Sequence, residues 1–92
     1  MYLEIVSPEA TLFSGEVDSV AVPGVNGEFQ MLNNHAPIVS LLKEGVVKIF
    51  GNIELDEEVQ DKFTKGDKST TLLNINSGTI EMKDNKVIVL AD

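Results

Sequence analysis

Along most of the chain, apolar and polar positions alternate with a period of two rather than 3.6, the spacing of a strand with one face buried. Leu3-Glu4-Ile5-Val6 opens the pattern, and Glu16 through Val22 continues it. Within that second run Val17 lies out of parity with Val20 and Val22, which predicts a bulge or twist near Ser19. Further runs follow at Glu28–Leu32, Ile38–Leu42, Val46–Phe50, Thr71–Ile75, Thr79–Met82 and Lys86–Leu90.

Turn chemistry separates the runs: Ser14-Gly15, Pro23-Gly24, Asn26-Gly27, Glu44-Gly45, Gly51-Asn52, Lys65-Gly66-Asp67, Ser77-Gly78 and Asp84-Asn85. Each supplies Gly or Asn for positive φ, or Pro for a fixed one. Short strands punctuated about every ten residues predict an all-β, antiparallel sandwich or barrel. Glu54 to Lys65, ELDEEVQDKFTK, breaks the rhythm. Val59 and Phe63 are four apart, Asp56 is a candidate cap and Gly66 a candidate stop, so a short helix and a solvated acidic loop both remain open.

Length and charge narrow the function. Ninety-two residues make one domain. A chain of this size buries roughly 60–65% of its unfolded surface, a thin margin that a binding partner would widen. There is no cysteine, hence no disulfide, thiolate metal site or Cys nucleophile, and one His cannot build an imidazole cluster. The net charge is −8, all seven basic residues are lysines and tryptophan is absent. Without arginine or a positive face, nucleic acid, anionic lipid and nucleotide phosphates are poor partners. The opening MYLEIVSPEATLF lacks the basic and apolar regions of a signal peptide, and the apolar run around Ala36 to Leu42 is far below the roughly 20 residues a spanning helix needs. The expectation is a soluble intracellular protein with no membrane insertion and no cofactor.

Enzymatic readings find little support. GVNGEF is neither a dinucleotide fingerprint nor a phosphate loop, and Gly66-Asp67-Lys68-Ser69-Thr70 lacks the preceding glycine spacing. The carboxylates Glu54, Asp56, Glu57, Glu58 and Asp61 do not follow a calcium-loop pattern. His35 is the one candidate base, but no serine sits in a nucleophile elbow. Function therefore lies in the surface.

At this point the ordered motifs become informative. Leu3–Glu9 with Leu12-Phe13-Ser14-Gly15, then Val20–Gly24, then Gly27-Glu28-Phe29 through His35-Ala36-Pro37, then Val87–Asp92, resemble the N-terminal β-domain of the epsilon subunit of F-type ATP synthases. Gly45–Ile49 and Ser77–Glu81 resemble the strands expected between them; about Gly51 to Thr70 does not match.

The resemblance implies a flattened ten-stranded antiparallel β-sandwich in the rotor's central stalk, non-catalytic by itself. It would join the gamma subunit to the polar loops of the c-ring at the cytoplasmic face of the bacterial inner membrane. It implies His35, Pro37, Phe13 and Ser14 at the gamma interface, and Glu28, Phe29, Met31 and Leu32 at the c-ring. Asn33-Asn34 stand where many members carry Pro-Gly; Asn tolerates left-handed backbone, so the turn is expected to survive. Asp92 falls where the family's helical hairpin would begin, so neither inhibition of hydrolysis nor ATP binding by that hairpin is assigned. Gly51 to Thr70 is expected to be a decoration on a solvent-facing edge. The alternatives are an unrelated β-sandwich adaptor or carbohydrate-binding module, or a small hydrolase using His35.

Overall fold

The computed structural model describes residues 1–92 and contains ten strands. They are β1 (Tyr2–Val6), β2 (Thr11–Glu16), β3 (Ser19–Gly24), β4 (Gly27–Met31), β5 (Ile38–Leu42), β6 (Gly45–Phe50), β7 (Phe63–Lys65), β8 (Thr70–Ile75), β9 (Gly78–Lys83) and β10 (Lys86–Ala91). They make one curled sheet in the order β2-β1-β10-β9-β5-β3-β6-β8-β7, with β4 on the free edge of β3. A single residue pair, Gly24 with Leu42, joins β5 to β3. The sheet folds over at that line into two layers, β2-β1-β10-β9-β5 and β4-β3-β6-β8-β7. The inward residues of both, among them Leu3, Ile5, Ile80, Met82, Val87 and Val89 against Val20, Val22, Met31, Val47 and Ile49, form one buried core.

The all-β expectation holds, with three differences of detail. β1 and β10 run parallel; every other pair is antiparallel. Ser14-Gly15 and Pro23-Gly24 are not turns but lie inside β2 and β3. The run from Glu16 to Val22 is two strands broken at Val17-Asp18, and the register shift sits at Ile5/Val6 instead of near Ser19. Pro23 is tolerated because it pairs at the hairpin end with Glu28. Gly27, at φ +123°, supplies the positive φ that closes the β3–β4 turn. At Gly78 a Cβ would run into the carbonyl oxygen of Leu90, so only glycine lets β9 approach β10 there.

The segment from Gly51 to Thr70 is neither an amphipathic helix nor a bare loop. It carries one 3-10 turn, Gln60–Lys62, and then β7, which pairs with β8 through Phe63–Leu73 to Lys65–Thr71. Val59 and Phe63 are buried in the core and Ile53 and Leu55 pack against it, while Glu54, Asp56, Glu57, Glu58 and Asp61 face water. The apolar residues anchor the segment to the core beside the edge strand β7, and the acidic ones present charge to water along that edge.

Candidate functional site

The loop that carries His35 is built on a four-residue turn. The His35 N–H donates to the Leu32 carbonyl at 3.1 Å, and Asn34 occupies the left-handed region at φ +60°. Asparagine thus does take the positive φ for which Pro-Gly would be the usual solution. The Asn34 N–H donates to Asn85 Oδ1 at 2.7 Å, which ties this loop to the β9–β10 turn. His35 is exposed and its Nδ1 lies 2.8 Å from the carbonyl oxygen of Ala36, with no serine or carboxylate among its hydrogen-bond partners. Pro37 then leads directly into β5.

Glu28 sits at the opposite end of β4. Its Oε1 lies 3.1 Å from Lys48 Nζ, and the pair reaches across β3 with the side chains 52% and 40% exposed. Phe29 is half-buried against the core, and its ring lies over Gly24. Val25, at the tip of the β3–β4 turn, is exposed. The β5–β6 turn lies alongside, held by a bond from Lys43 N–H to the Pro23 carbonyl at 2.9 Å.

The remaining residues divide differently from the grouping the resemblance implied. Met31 is fully buried, opposite Val20, and has no surface to offer. Phe13 is buried as well, with its ring packed over Gly15. Leu32 is exposed but belongs to the His35 turn, away from Glu28. Ser14 is exposed on the edge strand β2, where its hydroxyl meets that of Tyr2.

The most extended feature was not anticipated. Cross-strand pairing lines up Val6, Leu90, Thr79 and Leu41 in one outward row, and Ser14, Glu4, Ile88, Glu81 and Val39 in the next. Val39 is 73%, Leu41 63% and Leu90 51% exposed, and Val6 and Ile88 are half-exposed beside them. The outer face of the β2-β1-β10-β9-β5 layer therefore carries an interrupted aliphatic strip: Val6, Ile88 and Leu90 on β1 and β10, and Val39 and Leu41 on β5, with Thr79 and Glu81 of β9 between them and Glu4 beside Ile88. At one end lie Tyr2, Lys83 and Lys86, with Lys86 Nζ 5.5 Å from the Tyr2 ring centroid. Ser14 and Val39 are the two ends of one row, roughly 19 Å apart across four strand spacings. Large exposed aliphatic side chains gathered on one sheet face are the kind of surface that partners cover in other proteins. A signal existed in Ile38-Val39-Ser40-Leu41-Leu42, which is apolar on both parities, as a strand buried on both faces would be. Here only one face has a layer to bury it.

No three His, Asp or Glu side chains converge as a metal site would require. No helix is long and apolar enough to cross a membrane. The exposed residues of this face are aliphatic, with a few polar groups among them.

Comparison with known proteins agrees on the family. The family model described as ATP synthase, Delta/Epsilon chain, beta-sandwich domain matches residues 1–92. The chain belongs to this family. The ATP synthase epsilon chain of Campylobacter curvus is 38% identical over 92 residues, covering 100% of this chain and 60% of that one. The ATP synthase epsilon chain of Chlorobaculum tepidum is 37% identical over 90 residues, covering 98% of this chain and 86% of that one. The epsilon-family β-domain described here thus spans about 60% of the Campylobacter relative and most of the Chlorobaculum one. Among solved structures, the fold is similar to a chain in the central stalk/c-ring structure of Tetrahymena thermophila mitochondrial ATP synthase, with a TM-score of 0.71 and 14% identity over 99% of this chain and 62% of that one. A chain of the Euglena gracilis mitochondrial ATP synthase has a TM-score of 0.73 at 16% identity, covering 97% of this chain and 48% of that one.

Proposed function

We propose that the chain works in the central stalk of an F-type ATP synthase, as a non-catalytic rotor element that joins the gamma subunit to the polar loops of the c-ring. In this reading it helps couple ion flow to ATP synthesis from the cytoplasmic face of a bacterial inner membrane. The observation that carries it is the aliphatic strip Val39, Leu41 and Leu90 on an epsilon-family β-domain. A rotor junction must hold under torque, and broad aliphatic contact with a few polar anchors does that without any bond being made or broken. The same strip argues against a carbohydrate-binding module, which presents aromatic platforms; the residues exposed here are aliphatic.

The strip, with Ser14 at one edge and Pro37 and His35 at the other, is the surface we assign to gamma. Leu32 joins that set because it shares a turn with His35. Glu28, with Val25 and the exposed part of Phe29, is assigned to the c-ring loops. Phe13 and Met31 support these surfaces from within the core.

The test is co-assembly. An affinity-tagged copy expressed in the source cell is expected to carry the gamma subunit and the c-ring through detergent extraction in fixed proportion. Recovery of a folded chain with neither contradicts the proposal.

A further inference from the structure

We infer that Asn26 is a site of spontaneous deamidation, so that the β3–β4 turn acquires a new carboxylate next to Glu28 as the protein ages. Of the seven asparagines in the chain, only Asn26 precedes a glycine. A following side chain shields the next backbone nitrogen from the asparagine amide; glycine has none. The structure keeps the site open. Val25 and Asn26 are exposed at the turn tip, and apart from Gly27 and its two chain neighbours nothing lies within 4 Å of where a Cβ on Gly27 would stand.

The chemistry needs only water. The Gly27 backbone nitrogen attacks Cγ of Asn26. The new N–Cγ bond forms as the Cγ–Nδ2 bond breaks, and the amide nitrogen leaves as ammonia with the proton given up by Gly27. Water then opens the five-membered imide at either carbonyl. Addition at Cγ restores the normal backbone with aspartate at position 26. Addition at the backbone carbonyl leaves an isoaspartyl link that routes the main chain through Cγ. Nothing is oxidised or reduced.

Both products change this end of the domain. Aspartate adds a negative charge two residues from Glu28. The isoaspartyl form also lengthens the backbone by one carbon between Gly24 and Gly27, the pair that closes the hairpin and sets the register of Glu28, Phe29 and Met31. The other asparagines serve as internal controls. The Asn85 side-chain oxygen accepts from the Asn34 backbone N–H, and the Asn52 side-chain oxygen accepts from Ser69 Oγ at 2.8 Å.

The experiment is a prolonged incubation of the purified chain below its unfolding transition, followed by charge-variant separation and peptide mapping, with Asn26→Gln in parallel. A more acidic species is expected to accumulate, its change mapping to Asn26 as both aspartyl and isoaspartyl peptides, and to be missing in Asn26→Gln. A free peptide covering residues 21–31 sets the intrinsic rate. Conversion of that peptide while the folded chain stays intact overturns the inference, because the folded turn would then protect the site. So does conversion that maps first to another asparagine.

Discussion

The Asn34 backbone N–H and the Asn85 side-chain oxygen, 2.7 Å apart, bind the His35 loop to the β9–β10 turn. Both residues hold positive φ, at +60°, so each end of the bond is itself a turn that few residue types can make. The loop so tied leads through Pro37 into β5, whose pairing with β9 turns Val39 and Leu41 outward. Replacing Asn85 with Gly keeps the backbone and deletes the acceptor. Asn85→Gly is expected to cost about 1 kcal/mol. That is a fall of about 4–8 °C in Tm for a domain this size. Asn85→Ala is expected to cost more, because alanine resists the left-handed region. An unchanged melting curve for Asn85→Gly would show that the bond is not made in solution.

Met31 is expected to behave as a core residue. Met31→Ala is expected to lose about 2–5 kcal/mol, and Met31→Leu less than about 1.5 kcal/mol. Denaturant titration distinguishes this from a surface contact, for which both substitutions would leave the isolated chain within about 0.5 kcal/mol of the parent.

Phe63 and Glu57 test the two faces of the segment from Gly51 to Thr70. Phe63→Ala is expected to cost about 3–5 kcal/mol, enough to unfold much of so small a domain, because its ring is part of the core. Glu57→Ala is expected to fall within about 0.5 kcal/mol of the parent. Urea midpoints for the two variants check the contrast. If both were neutral, the segment would be a dispensable decoration after all.

The Glu28–Lys48 ion pair is expected to matter little to folding. Both side chains are about half exposed, so solvent screening holds the coupling to less than about 1 kcal/mol. A double-mutant cycle of Glu28→Ala and Lys48→Ala in the isolated chain measures it. A larger coupling would make Glu28 a structural residue and weaken its assignment to a partner.

The strands were legible because alternation is local: Leu3 and Ile5, or Val87 and Val89, declare a buried face within a few residues. The parallel pairing of β1 with β10 was not, since Leu3 gives no local sign that Val87, at the far end of the chain, will be its neighbour. Phe63 was ambiguous because four-residue spacing from Val59 suits a helix, whereas pairing with Leu73 drew it into a strand. Among the candidate site residues, Glu28 and His35, singled out by their motif, lie on the surface. Met31, singled out by the same motif, is buried opposite Val20, because position in a sequence pattern does not say which way a side chain points. Val39 and Leu41 went unnoticed, since an apolar run does not reveal that one of its faces lacks a covering layer.

The gamma-facing role of the strip is tested by a calorimetric titration of the chain into the gamma subunit from the same source, with Leu41→Asp and Glu28→Ala alongside. Leu41 is 63% exposed, so Leu41→Asp is expected to leave the melting curve of the isolated chain nearly unchanged. A saturable one-to-one complex is expected, weakened at least about tenfold by Leu41→Asp, a loss of about 1.4 kcal/mol. Glu28→Ala, on the opposite end of β4, is expected to bind as the parent does. Equal binding by Leu41→Asp and the parent would contradict the aliphatic strip as the gamma-facing surface.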